Sequence, residues 1–302
     1  MLDIITRACC FVAVIVLGFV LRRIGFFKEQ DFNTLSKIAV RITLPAAIVS
    51  NMAGRVIDTS LLSLTALGFF GGVLYMVVAF LLNIKKPPEK RAFEVLNLPG
   101  FNIGNFSLPF VQNFLGAAGV VAASLFDVGN AFICLGGAFG IASMIRDGSG
   151  FSMKRLGKAL LTSVPFLAHV IMLLLCLLHI SLPGPVVSFA NIIAGGSAFV
   201  AMLMIGAGFK LEVNRSQIGA LVKILGLRYG IAALLAVIFY FCLPFDLEVC
   251  QALVIVVFSP VGSAVPPFTR ELKGDVGLSC AINSVSIVCS VVIIVTLLSV
   301  ML

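Results

Sequence analysis

Residues 97–114 read NLPGFNIGNFSLPFVQNF. They hold two prolines, two glycines, four asparagines, a glutamine and a serine, within a chain that is otherwise one apolar run after another. Backbone groups left unpaired in hydrocarbon are costly, so a helix broken in this way at membrane depth needs a compensating purpose.

The surrounding composition fixes that setting. The chain has 302 residues, 60% of them hydrophobic, and a mean hydropathy of +1.16. Only 11% are charged, against roughly 25% in ordinary soluble domains. No soluble core hides that much apolar surface, so the sequence predicts an all-α polytopic membrane protein. Runs of about 20 apolar residues, the length of a spanning helix, fall near 3–21, 33–52, 60–82, 93–114, 119–145, 160–180, 186–209, 220–243, 248–269 and 276–301. That gives ten spans. The first run, from Ile4 to Leu21, is followed by Arg22 and Arg23 without a small-residue cleavage pattern, and reads as a span rather than a removed signal peptide.

The net charge of +8 would suit nucleic acid if it were clustered, but it lies in short loops. Apart from Arg7, Arg41, Arg55 and Arg228, every lysine and arginine falls in the odd-numbered loops or at their edges. The seventh loop, for example, carries Lys210, Arg215 and Lys223. The positive-inside rule then puts those loops in the cytoplasm and both termini outside, in the cell (inner) membrane, with no nucleic-acid partner expected. Arg41 and Arg228 lie one or two turns from basic ends, which predicts snorkelling for both.

The midpoint is the basic linker RDGSGFSMKRLGKA, residues 146–159. It divides the chain into 1–145 and 160–302, each with five spans, so related halves would form an inverted repeat. Such a repeat predicts a counterpart to the opening stretch in span nine. That span reads VFSPVGSAVPPFTREL, interrupted by Ser259, Pro260, Gly262, Ser263, Pro266 and Pro267. Paired interruptions at corresponding positions point to a transporter's substrate site. The expected breaks are at Gly104 and Pro109 in span four and at Pro260 and Gly262 in span nine. Helix starts beyond such breaks favour an anion, and Asn102, Asn105, Ser107 and Ser263 are candidate hydrogen-bonding groups.

Span five adds SLFDVGNAF. Asp127 lies near the bilayer centre with Asn130 one turn away on the same face. A deep acid is a functional candidate by default, here for proton coupling. Its alternative role is as a buried partner of Arg41 or of backbone donors. Span ten supplies Asn283, Ser284 and Ser286 at a comparable depth. The eight cysteines form no CxxC or Cys/His ligand spacing, so neither metal nor other cofactor is expected. His169 and His179, ten residues apart, read as packing positions. No HExxH, paired glutamates or GxSxG supports an intramembrane enzyme. A channel would want a continuous polar stripe, whereas these polar residues cluster at one depth.

NIGNFSLPF followed by LFDVGN resembles the auxin efflux carrier family, which includes plant auxin exporters and bacterial malate and malonate permeases. LSKIAVRITLPAAIVSNM, with Pro45, is similar to that family's second span, and Pro260 with Gly274–Asp275 to its second crossover and exit. The resemblance implies a ten-helix fold like that of sodium/proton antiporters and bile-acid symporters, moving by an elevator stroke. Spans 1, 2, 6 and 7 would form a scaffold, usually a homodimer, and spans 3–5 and 8–10 a transport domain. It also carries over Asn102, Pro109, Asp127, Asn130 and Pro260 as functional positions. Ser107 replaces the family's usual glycine and Asn105 is an additional amide, which suggests a substrate more polar than auxin. The expected function is secondary transport of a small organic anion across the bilayer. A sodium-coupled carrier resembling the bile-acid symporters is the alternative.

Overall fold

The computed structural model describes residues 2–55, 57–209 and 215–302, and among these every regular element is helical. Lys210 of the seventh loop lies outside the described residues. Six stretches are long and apolar enough to cross a membrane: Gln30–Met52, Thr59–Leu82, Ala117–Asp147, Gly184–Gly208, Arg215–Phe241 and Val276–Met301. A pair bent by 77°, Met153–Thr162 with Val164–Leu177, makes a seventh.

The elements run in order. After α1 (Leu2–Arg23), α2 (Glu29–Ile38) continues through a π-helical turn, Ala39–Thr43, into α3 (Leu44–Met52). Pro45 sits in the first turn of α3, where a missing N–H is tolerated. Next come α4 (Ser63–Leu82) and α5 (Pro88–Asn97), then a non-helical stretch at 98–102, a π-helical turn at Ile103–Ser107 and α6 (Leu108–Phe114). The fifth segment is α7 (Ala117–Phe132), a third π-helical turn (Ile133–Gly137) and α8 (Ala138–Asp147). The second half holds α9 (Met153–Thr162), α10 (Val164–Leu177), α11 (Gly184–Ala194), α12 (Ser197–Gly208) and α13 (Ile218–Phe241). It ends with α14 (Leu247–Val257), a non-helical stretch at 258–264, α15 (Val265–Glu271) and α16 (Val276–Met301).

The central linker is more ordered than its charge suggests, because α9 occupies its second part. Leu156 and Leu160, four apart, are buried while Lys154, Arg155 and Lys158 are exposed, the pattern of a helix lying on a surface. Its bend into α10 falls at Ser163, whose extended backbone ends one helix and whose hydroxyl caps the next by accepting from Phe166 N.

Glycines set the tightest helix contacts. A Cβ at Gly206 of α12 would meet the Ile15 carbonyl oxygen, and one at Gly18 of α1 would meet that of Leu203. The same holds between α4 and α7, at Gly68 against Phe126 and Gly129 against Thr65. Small residues let apolar helices pack backbone to backbone, which is where membrane helices find their attraction.

Contacts recur in matching pairs: α1 on α12 and α10 on α3, α4 on α5 and α13 on α14, α6 on α7 and α15 on α16. Polar bonds gather the basic loops at one end. Lys223 binds Glu94 (2.7 Å), Arg155 binds both oxygens of Glu271 (2.6 and 2.7 Å), and Gln217 donates to Asp275 (2.8 Å).

Candidate functional site

The site is made where two helices fail. In the first, Pro99 lacks a donor and Gly100 takes a positive φ of 81°, so the chain leaves the helix there. The second fails at 258–264, through Ser259, Pro260 and Gly262. Gly104 and Pro109, expected as breaks, lie beyond the gap: Gly104 within the π-helical turn and Pro109 in the first turn of α6. A proline in that turn gives up a hydrogen bond the helix start would not have made, so Pro109 permits the helix rather than breaking it.

The two gaps touch. Asn102 N donates to Pro260 O at 3.0 Å, and the Ser107 and Ser259 hydroxyls lie 2.6 Å apart. Between them sits Arg228 of α13, a fully buried side chain. One of its terminal nitrogens donates to Leu98 O (2.6 Å), the other to Gly100 O (2.8 Å), Ser259 O (2.8 Å) and Pro260 O (3.1 Å). The guanidinium also faces the Tyr75 and Phe101 rings, at 5.7 and 5.4 Å from their centroids. Snorkelling is therefore wrong for Arg228. Both terminal nitrogens of the planar fork find carbonyls inside the protein in place of water, while Nε has no hydrogen-bond partner. Arg41, by contrast, is exposed.

Each gap is also clamped from a neighbouring helix. Asn130 of α7 accepts from Phe101 N (2.9 Å) and donates to Phe101 O (2.7 Å). On the other side Asn283 of α16 donates to Val261 O (3.0 Å), and the Ser286 hydroxyl accepts from Val261 N (3.1 Å). Both amides complete the backbone of a broken strand of chain, much as a neighbouring residue would in an intact helix.

Against the gaps lies a cavity of about 180 Å³. Asn102, Gly104, Asn105, Asp127, Asn130, Gly262 and Ser263 line it. Ser107, Pro109, Pro260 and Asn283 do not, being spent on the helix and on the join. The Asp127 carboxylate accepts from Asn130 Nδ2 at 2.9 Å. Asn105 Oδ1 is buried without a hydrogen-bond partner. From α10 the cavity also takes Ser163, Phe166 and His169. His169, expected only to pack, is 2% exposed and its Nε2 has no hydrogen-bond partner.

Larger cavities lie elsewhere. One of about 840 Å³ is lined by apolar residues such as Phe69, Phe132 and Ile141, and one of about 470 Å³ lies among the charged residues of the basic end. Neither reaches the gaps. The small cavity is the one with convergent buried polar groups, which is what a specific ligand site requires.

An all-helical, multi-pass membrane protein with a polar cavity at two broken helices has the make-up of a transporter. Residues 4–147 match the family described as "Membrane transport protein", a family of transporters and not of enzymes. The chain is also 21% identical over 231 residues, 74% of each chain, to an "Uncharacterized transporter" of Methanothermobacter thermautotrophicus. The protein is a multi-pass integral membrane transporter. The matched family is that of the auxin efflux carriers, in line with the resemblance carried by NIGNFSLPF and LFDVGN.

Proposed function

We propose that the protein is a secondary carrier for a small organic anion, a mono- or dicarboxylate. The observation that carries this reading is the joining of two interrupted helices, one from each half of the chain, beside one polar cavity. Arg228 places a fixed positive charge behind both gaps, and the amide dipoles at the start of Ile103–Phe114 add to it. An anion gains from both, and side-chain amides orient it without a second charge to desolvate.

Counting α1, each broken segment and the bent α9–α10 pair as one crossing, the chain crosses ten times. Its halves then form an inverted repeat, a reading that the matching helix contacts support. In that scheme α1–α3 and α9–α12 are a stationary scaffold, through which two copies would dimerise, and the remaining helices carry the substrate by an elevator stroke. The basic end is cytoplasmic and both termini are outside. Asp127 is the proton-coupling group: protonation there and anion binding strengthen each other by one common factor. A sodium-coupled mechanism would want several oxygen ligands around the ion, and Asp127 is the acid this cavity offers.

Proteoliposome uptake of radiolabelled mono- and dicarboxylates, under imposed pH or sodium gradients, tests the reading. Accumulation of at least one carboxylate driven by a proton gradient is expected, and Asp127→Asn should abolish that accumulation while still binding the anion. No uptake of any carboxylate under either gradient would refute the carrier assignment. Uptake driven by sodium alone would favour the alternative coupling.

A further inference from the structure

No role falls to His169 in that scheme, yet it is the most conspicuous polar side chain on α10. The helix is otherwise apolar around it, and His169 is 2% exposed. Its Nε2 lacks a hydrogen-bond partner, and so does Asn105 Oδ1 in the wall of the same cavity. Burying a polar atom unpaired is unfavourable, and an unpaired Nε2 on the wall of this small polar cavity points to a ligand that pairs it. We propose that His169 contacts the transported anion, with Nε2 holding a proton that enters from solution together with the anion and faces its carboxylate. This rests on the carrier reading and names the partner of its substrate on the α10 side.

The chemistry follows from the ring's other edge. The other edge of the His169 ring lies toward the backbone of Pro165, one turn earlier. A proline backbone offers only a carbonyl acceptor, so the nitrogen facing it keeps its hydrogen. In the neutral ring Nε2 is then a bare lone pair, which a carboxylate, itself only an acceptor, cannot bond. A proton from solution binds that lone pair and turns it into a donor. The anion's charge compensates the imidazolium, and no covalent bond of the anion forms or breaks. Oppositely charged groups hydrogen-bonded to each other are the arrangement in which a buried charge is tolerated.

The groups around the ring leave this assignment open to test. The helices packed on α10 are α3, α7 and α9, with the π-helical turn before α3. Asp127 on α7 and Cys134 just beyond it line the cavity with His169, while α3 has no titratable side chain. Arg41 on the π-helical turn is exposed, as are Lys154, Arg155 and Lys158 on α9. Asp127 is thus the competing proton acceptor.

The experiment is calorimetric titration of the purified full chain in lipid nanodiscs with benzoate, lactate, malonate and succinate. Each titration is run in two buffers of different protonation enthalpy and at several pH values. Wild type should take up protons with its best-bound anion. His169→Gln should lower that uptake by roughly one proton per anion. It should weaken binding about 10-fold or more at the lowest pH and hardly at the highest, where the wild-type ring is neutral. His169→Leu keeps the apolar helix face and should behave alike, which covers a glutamine variant that fails to fold. Asp127→Asn should retain the His169 share of the uptake. Wild-type affinity and proton uptake in the His169 variants, or uptake lost only in Asp127→Asn, would overturn the proposal while leaving the carrier reading intact. Wild type binding none of the four anions would overturn both.

Discussion

In the first gap the chain turns at Pro99–Gly100 on a positive φ and then presents Asn102 and Asn105, whose side chains make no hydrogen bond to another described residue. In the second it turns through Ser259–Pro260 without a positive φ and presents Ser263 to the same cavity. Both backbones are closed by an amide from a neighbouring helix, but the two amides differ in what else they touch. Asn130 also holds Asp127 and lines the cavity, whereas Asn283 serves only Val261 and stands outside it. The same backbone problem has been solved twice, and the first solution turns two amides toward the cavity where the second turns one hydroxyl. On the proposed function, recognition would fall mainly to the first gap. The second supplies carbonyls, and Arg228 joins the two.

The largest effect should come from removing that join. Arg228→Leu strands the carbonyls of Leu98, Gly100, Ser259 and Pro260. Each buried carbonyl left unpaired costs about 1–3 kcal/mol, so the variant should lose its monodisperse peak in size-exclusion chromatography or unfold well below wild type. Arg228→Lys keeps the charge without the fork and should fold better than it transports. An Arg228→Leu protein of wild-type stability would mean that the gaps hold themselves.

The two clamps come next. Asn130→Ala and Asn283→Ala each leave backbone groups unpaired and should each cost about 1–3 kcal/mol in thermal unfolding. Only Asn130→Ala should also weaken anion binding out of proportion to its stability loss. Equal damage to binding by both would erase the proposed division between the gaps.

Smaller still is the loss of a free side chain. Asn102→Ala breaks no side-chain bond, so its melting temperature should stay near wild type, while its anion affinity falls by about 1–3 kcal/mol. Ser263→Ala should lose less. A stronger effect from Ser263→Ala would move recognition to the second gap.

The smallest effect lies at the basic end, outside the spans. The Arg155 guanidinium bonded to Glu271 holds that carboxyl below its ordinary range. A depressed carboxylate contributes stability above its unfolded-state value, and that contribution is lost as pH falls through the folded one. Both side chains are about half exposed, at 46% and 49%, so solvent screening limits the pair to about 1 kcal/mol or less. Glu271→Gln should lower the melting temperature slightly at neutral pH and not at strongly acid pH.

Much of this was legible in the residues. The prolines and glycines of 97–114 and 258–267 announced two broken helices because they act on the backbone locally, but the first break falls at Pro99–Gly100 rather than at the expected Gly104 and Pro109. Asp127 and Asn130 announced themselves by standing three apart in an apolar helix, and the hydrogen bond between them is there. Arg228 did not. Its place near a basic end is what a snorkelling residue would show, and its four partners come from segments 31 to 130 residues away. His169 was hidden for a related reason, since its cavity exists only once α10 meets the gaps. The π-helical turns at Ala39–Thr43, Ile103–Ser107 and Ile133–Gly137 also have no signature in apolar periodicity. Local punctuation is written in the sequence; what one segment does for a distant one is not.

On the elevator reading, the two gaps form one ligand-holding unit that moves without coming apart. Ser107→Cys combined with Ser259→Cys, in a background lacking the native cysteines, tests it directly, because those hydroxyls lie 2.6 Å apart. Carboxylate uptake would be compared between the oxidised and the reduced protein in proteoliposomes. The oxidised, cross-linked protein should transport at a rate similar to the reduced one. Uptake abolished by oxidation and restored by reductant would show that the gaps must separate during transport, and would contradict that reading.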